Sequence, residues 1–178
     1  MPNAQRLMTL GLVLAVGMAL PCWAGELRPL EARAAPALEL PDLGGAMHRL
    51  ADWRGQVILL NFWASWCQPC VAEMPGIQRL EGQMRGRGFV VVGVNVAEAQ
   101  RRATRSVDQM GLGFPVLLDA EGETFHAWGG KALPTSVLID RQGRLRYVGL
   151  GPLEWDGVEA LGRVESLLAE PVTAGDGG

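Results

Sequence analysis

Asn61-Phe62-Trp63-Ala64-Ser65-Trp66-Cys67-Gln68-Pro69-Cys70, continuing to Glu73-Met74-Pro75, is the stretch on which the reading of the whole chain turns. It sits at the end of a nearly continuous apolar run, Val57 to Ala64. Runs of that length and character suit a strand buried on both faces of a central sheet. Beyond it, Cys70, Met74, Ile77, Leu80 and Met84 recur at helical spacing and form the apolar stripe of a helix that starts just after Cys67. Two thiols therefore stand where a strand turns into a helix. A thiol at a helix N-terminus faces unpaired backbone N–H groups and the positive end of the helix dipole, and both favour thiolate over thiol. The thiolate is the nucleophile of disulfide exchange. Cys67 is thus the expected attacking sulfur. Cys70, on the apolar stripe, is expected to be buried and to resolve the mixed disulfide by attacking Cys67. Pro69 suits the first helical turn, where a missing N–H costs little.

Outward from this segment, Phe89 to Val96 reads as a second buried strand, and Val116 to Asp119, Ser136 to Asp140 and Leu145 to Val148 as shorter ones. Arg141-Gln142-Gly143-Arg144 joins the last two as a hairpin turn, and Gly44-Gly45 joins Leu38–Leu43 to Ala46–Leu50 as another. Ala99, Ala103, Val107 and Met110 predict a second helix with Arg101, Arg102 and Arg105 on its solvated face. Val158, Leu161, Val164 and Leu168 predict a C-terminal helix. No internal repeat and no second domain is read. Strands alternating with helices between two hairpins predict a three-layer α/β domain.

The chain has 178 residues, 48% of them apolar, enough for one domain with its own core. A formal net charge of −3 argues against nucleic acid as a partner. At the N-terminus, Arg6, the apolar run Leu7 to Leu20, Pro21 and then Cys22-Trp23-Ala24 read as a secretory signal cleaved after Ala24, or as an uncleaved anchor facing outward. Cleavage would remove Cys22 and leave Cys67 and Cys70. A bridge closing so short a loop restrains little of the unfolded chain, so the pair is better explained as chemistry than as a staple. Residues 25–37 read as a linker, 38–170 as the folded domain, and 171–178 as a disordered Gly-rich tail.

The segment from Asn61 to Pro75 resembles the active-site segment of the TlpA/ResA-like thiol–disulfide oxidoreductases, a thioredoxin-fold group. Leu133-Pro134-Thr135 and the strand after it are similar to that family's cis-proline loop. Leu40-Pro41-Asp42-Leu43 and Leu50 to Gly55 are similar to its N-terminal hairpin region. The resemblance runs from about Ala37 to Ala169. It implies a thioredoxin-like fold, a central mixed sheet with helices on both faces, with an added N-terminal hairpin and a central insertion at about 96–116. It implies that the active-site helix runs through Pro75 with a kink. It also implies that Pro134 is cis and faces the dithiol, leaving the backbone of Leu133 free to pair with an extended substrate. Thioredoxins proper carry a buried Asp on the strand before the dithiol; Asn61 stands there and cannot exchange protons. Many relatives instead carry a Glu three residues after the second Cys, matched by Glu73, which would accept the Cys70 proton. The residues alone leave another reading open, with Glu73 as a surface acid near the helix N-terminus, and Glu81 projects onto the same arc. Trp66 is expected beside the exposed sulfur, shaping a docking groove, and Trp63 in the core.

The resemblance implies reduction of disulfides in exported proteins, often apocytochrome c before haem attachment, with electrons from a membrane thiol carrier of the DsbD/CcdA type. No cofactor is read, and no metal, because zinc needs about four ligands and beside the two cysteines only His48 and His126 remain, each far along the chain and unpaired. Gln-Pro between the cysteines lacks the His of strongly oxidising exported enzymes, which points the same way. Two other readings stand beside it. A peroxiredoxin shares the fold, but Ala64 occupies the Thr position of its Thr-x-x-Cys pattern. A Cu(I)-binding module could use the two thiolates, although the sequence places no third ligand.

Overall fold

The computed structural model describes residues 25–171; the signal or anchor read at 1–24, and the tail beyond Pro171, lie outside the described residues. The elements run β1 (Glu26–Ala34), β2 (Glu39–Pro41), β3 (Met47–Arg49), a 3-10 turn (Leu50–Trp53), β4 (Val57–Trp63), α1 (Gln68–Met84) and β5 (Phe89–Val96). Then follow α2 (Gln100–Met110), β6 (Val116–Asp119), α3 (Glu123–Ala127), β7 (Thr135–Ile139), β8 (Arg144–Leu150) and α4 (Val158–Ala169). Among the described residues no helix is long and apolar enough to cross a membrane.

β4, the apolar run of the sequence, is buried along its whole length and sits inside a six-stranded sheet of order β1-β8-β7-β4-β5-β6. β4, β5 and β6 are parallel, whereas β7 and β8 return antiparallel. Alternation along the strands sends side chains to two cores. Val57, Leu59 and Trp63 of β4 meet Met74, Ile77, Leu80 and Met84 of α1 and Ala160, Val164 and Leu167 of α4. Ile58, Leu60 and Phe62 meet Val92, Val94 and Val137, and on that side Trp53 and Phe125 close the layer. This is the three-layer thioredoxin-like arrangement, with the hairpin β2–β3 as a small sheet of its own. The segment expected as an insertion carries α2 and leads into β6, which lengthens the sheet at one edge.

Two expectations need correction, and one helix was not read. Residues 25–37, read as a linker, contain β1, which pairs antiparallel with β8 at the other edge of the sheet. Its sequence, ELRPLEARA, shows no apolar period because an edge strand is held by backbone hydrogen bonds; Leu27 is its one buried residue. α3 escaped the sequence reading because it is five residues long; Asp119 holds its first turn by accepting the Thr124 and Phe125 N–H groups at 3.2 and 2.8 Å. In α4 the buried row is Ala160, Val164 and Leu167, and Val158, placed on the expected stripe, is 90% exposed.

Candidate active site

Register brings four chain segments to one end of the sheet. β4 ends at Trp63, and one residue earlier Phe62 pairs with Thr135, the first residue of β7. Thr135 pairs in turn with Leu150, the last residue of β8. The Cys67 turn, the Pro134 loop, the Gly151–Leu153 loop and the exit from β5 therefore converge there.

Cys67 is the N-cap of α1, and its Sγ accepts the N–H of Cys70 at 3.3 Å. The two sulfurs are joined as a disulfide, with 5.3 Å between Cα atoms. Cys70 is fully buried. Cys67 is only 6% exposed, a narrower opening than an attacking sulfur was expected to have, while Trp66 beside it is 54% exposed. Pro69 lies in the first turn, and α1 continues unbroken through Pro75 to Met84. Trp63 is fully buried, in the core as read.

Glu73 is the one carboxyl on the buried face of α1, 5% exposed. Its Oε1 accepts from Asn61 Nδ2 at 2.8 Å. Its Oε2 accepts from the Leu153 N–H at 3.1 Å and Trp155 Nε1 at 3.3 Å. Burial pushes its carboxyl up to about 7, and the three hydrogen bonds offset only part of that. Glu81, on the same arc, is bound to Arg85 at 2.9 Å at the helix surface, so packing decides between the two acids where spacing did not. Asn61 Nδ2 also donates to Ser136 Oγ at 2.8 Å and so ties β4 and β7 to α1. The arrangement places a buried carboxyl that ionises near neutrality one turn from the buried sulfur.

The Leu133–Pro134 peptide is cis. Pro134 O accepts the Gly151 N–H at 3.0 Å, which fixes the loop against the end of β8. The N–H and C=O of Leu133 make no hydrogen bond among the described residues and remain available to an extended partner. Among the described residues no group of three or more His, Cys, Asp or Glu side chains converges as a metal site would require. His48 is engaged elsewhere, bound to Asp42 at 3.1 Å and stacked on Trp53.

Sequence reasoning missed a second buried acid beside the Cys67 turn. Glu98, 5% exposed, accepts the Ser65 N–H at 3.1 Å, the Ser65 hydroxyl, and Asn95 Nδ2 at 2.8 Å. Ala97 before it adopts a left-handed backbone (φ 52°), uncommon outside glycine, where the chain leaves β5. Glu98 thus anchors the turn that carries Trp66 and Cys67. A lone acid after a strand gives no sequence signal of such a role. Glu98→Ala leaves buried donors unpaired and is expected to cost about 2 kcal/mol of stability and to alter the alkylation rate of reduced Cys67. Glu98→Gln can keep the Ser65 and Asn95 contacts, because its amide can donate to the Ser65 hydroxyl while its oxygen accepts the other two; it loses only the surface ion pair from Oε1 to Arg102 at 3.4 Å, and should restore most of both. Thermal unfolding and iodoacetamide kinetics check this; equal losses in the two variants would contradict it.

The family model that matches this chain is the AhpC/TSA family, over residues 32–148. The chain is 35% identical over 125 residues to the thiol-disulfide oxidoreductase ResA of Geobacillus thermodenitrificans, covering 70% of this chain and 72% of the relative. Among solved structures it is similar to a protein described as thiol:disulfide interchange protein DsbE from Chlorobium tepidum. That match has a TM-score of 0.73 and 33% identity, over 78% of this chain and 97% of that one. It is also similar to a secreted thiol-disulfide isomerase from Corynebacterium glutamicum, with a TM-score of 0.69 and 25% identity, over 88% and 98% of the two chains.

Proposed function

The chain belongs to the AhpC/TSA family and to the ResA/TlpA-like thioredoxin-fold thiol–disulfide oxidoreductases, and from that premise we propose that it is an exported reductase of protein disulfides working through Cys67 and Cys70. The observation that carries this reading is the disulfide closed across the N-terminus of α1, with Cys67 as the cap and Cys70 buried behind it.

In the reduced enzyme the Cys67 thiolate attacks one sulfur of a substrate disulfide. A new S–S bond forms, the substrate bond breaks, and the released substrate sulfur leaves as thiolate and is protonated. The Leu133 backbone and Trp66 receive the substrate chain during this step. Glu73 then takes the Cys70 proton, the Cys70 thiolate attacks Cys67 Sγ, and the second substrate sulfur leaves with a proton. Substrate gains two electrons and two protons, and the enzyme is left with the Cys67–Cys70 disulfide. A membrane thiol carrier of the DsbD/CcdA type would return the electrons. Apocytochrome c is one substrate of the right chemistry. The apolar run at Leu7 to Leu20 supports export, as does the likeness to a secreted isomerase.

Equilibrating the purified protein with glutathione or dithiothreitol redox buffers tests the direction. The pair is expected to lie nearer the roughly −270 mV of thioredoxin than the roughly −120 mV of DsbA, because Gln68-Pro69 adds no cation to stabilise the thiolate. A potential near the oxidising end would reverse the direction. Peroxide turnover without a disulfide substrate, or stoichiometric Cu(I) binding without disulfide reduction, would replace the reductase reading altogether.

A further inference from the structure

Beside the Pro134 loop, on the face of the sheet away from α1, lies a cavity of about 410 Å³ walled by Leu30, Trp128, Pro134, Val137 and Leu150. It starts at the site end of the sheet, where Pro134, Thr135 and Gly151 line it. It reaches Leu145, whose register partner on β7 is Ile139. Four strand steps separate Thr135 from Ile139, roughly 13 Å, the length of about four residues of extended chain. The walls are firm: Trp128 Nε1 is bound to Ala37 O at 3.1 Å, and its ring packs on Phe62. Leu150 is 52% exposed, an apolar surface left uncovered beside the site.

Arg33 and Lys131, the chain's only lysine, also line this groove, and no Asp or Glu does. Neither cation has a side-chain ion pair or hydrogen bond among the described residues. Two unmatched cations on an apolar groove with no acid in it complement an apolar segment that carries negative charge. A second copy of this chain, at net −3, would meet charge repulsion on approach.

The geometry points to a substrate-recognition groove that takes an extended apolar segment bearing carboxylates, next to the substrate cysteine that Cys67 attacks. This rests on the reductase reading above and adds to it a preference among disulfide substrates. Arg33 and Lys131 receive the carboxylates; Trp128, Leu150 and Val137 receive the apolar side chains.

Three synthetic peptides test it. Each has one cysteine capped as the mixed disulfide with 2-mercaptoethanol, flanked by the same apolar residues with Glu, Lys or Ser interspersed. Single-turnover reduction by the pre-reduced full-length protein is followed by tryptophan fluorescence, with bis(2-hydroxyethyl) disulfide as a substrate too small to reach the groove. The Glu peptide is expected to react at least tenfold faster than the Lys peptide, with the gap narrowing as salt is raised. The double variant Arg33→Glu with Lys131→Glu is expected to reverse the ranking. Equal rates for the three peptides, or an unchanged ranking in the double variant, would overturn the proposal. So would a solution dimer that Leu150→Glu abolishes, since the groove would then belong to a second copy. Failure to reduce even bis(2-hydroxyethyl) disulfide would instead strike the reductase reading, and this proposal with it.

Discussion

Cys70→Ala is expected to leave a protein that attacks a substrate disulfide once and then stays attached to it, with multiple-turnover reduction lowered on the order of 10³-fold or more. In the intact enzyme the two Cα atoms are 5.3 Å apart, and Cys70 is held beneath the N-cap of α1. Resolution of the mixed disulfide is therefore intramolecular, and well-oriented intramolecular reactions reach effective molarities of about 10⁵–10⁸ M. Without Cys70, release waits for an external thiol at millimolar concentration. The asymmetry of exposure adds a second expectation. Cys67→Ala should be inactive and should trap nothing, because Cys70 is fully buried and cannot reach a protein disulfide. Non-reducing electrophoresis with mass spectrometry of the adducts reads both outcomes and also identifies the physiological substrate. Turnover by Cys70→Ala at the parent rate, or adducts formed through Cys70, would exclude the division of labour between the two sulfurs.

The parts of this fold that were legible in the sequence are those whose burial is continuous. Val57 to Trp63 and Phe89 to Val96 are strands on both counts, because a strand covered on two faces must be apolar at nearly every position. The α1 stripe was legible for the related reason that its whole face is buried in the core it shares with β4, β5 and α4. β1 was not: a strand whose only sheet neighbour is β8 needs backbone hydrogen bonds and little else, and Arg28, Pro29 and Glu31 are compatible with that. At the site, spacing identified Cys67, Cys70 and the helix between them. It left Glu73 and Glu81 equivalent, since both project onto one arc. What separates them is tertiary: Leu153 and Trp155 cover Glu73 from 80 or more residues away, whereas Glu81 meets Arg85 on its own helix. Glu98 was invisible for the same reason, its partners Ser65 and Asn95 being brought together by the β4–β5 pairing.

Glu73→Gln separates a proton carrier from a packing residue, because the two roles predict opposite signs. Glu73 is buried in the folded protein and ionises near 7 rather than 4.5. Folding therefore favours its neutral form. Its contribution to stability is greatest below about pH 4.5 and falls as pH rises towards 7, above which the buried charge costs roughly 3 kcal/mol. Gln carries no charge, so Glu73→Gln should be more stable than the parent at pH 8 by up to that amount, and little different at pH 4. The site can accept it. Asn61 Oδ1 has no hydrogen-bond partner among the described residues. Turning the Asn61 amide over would let that oxygen accept from the Gln amide and from the Ser136 hydroxyl, while leaving Nδ2 where Oδ1 now lies without a partner, so the gain at pH 8 stays below that limit. Activity should move the other way. With no acceptor one turn from Cys70, the second step should slow by roughly 10²-fold at pH 7 and lose its inflection near that pH. Equilibrium unfolding across pH 4–8 and the pH profile of mixed-disulfide resolution read the two effects separately. A variant that gains stability at pH 8 but resolves the mixed disulfide at the parent rate would leave Glu73 as a buried, costly carboxylate with no part in moving the proton.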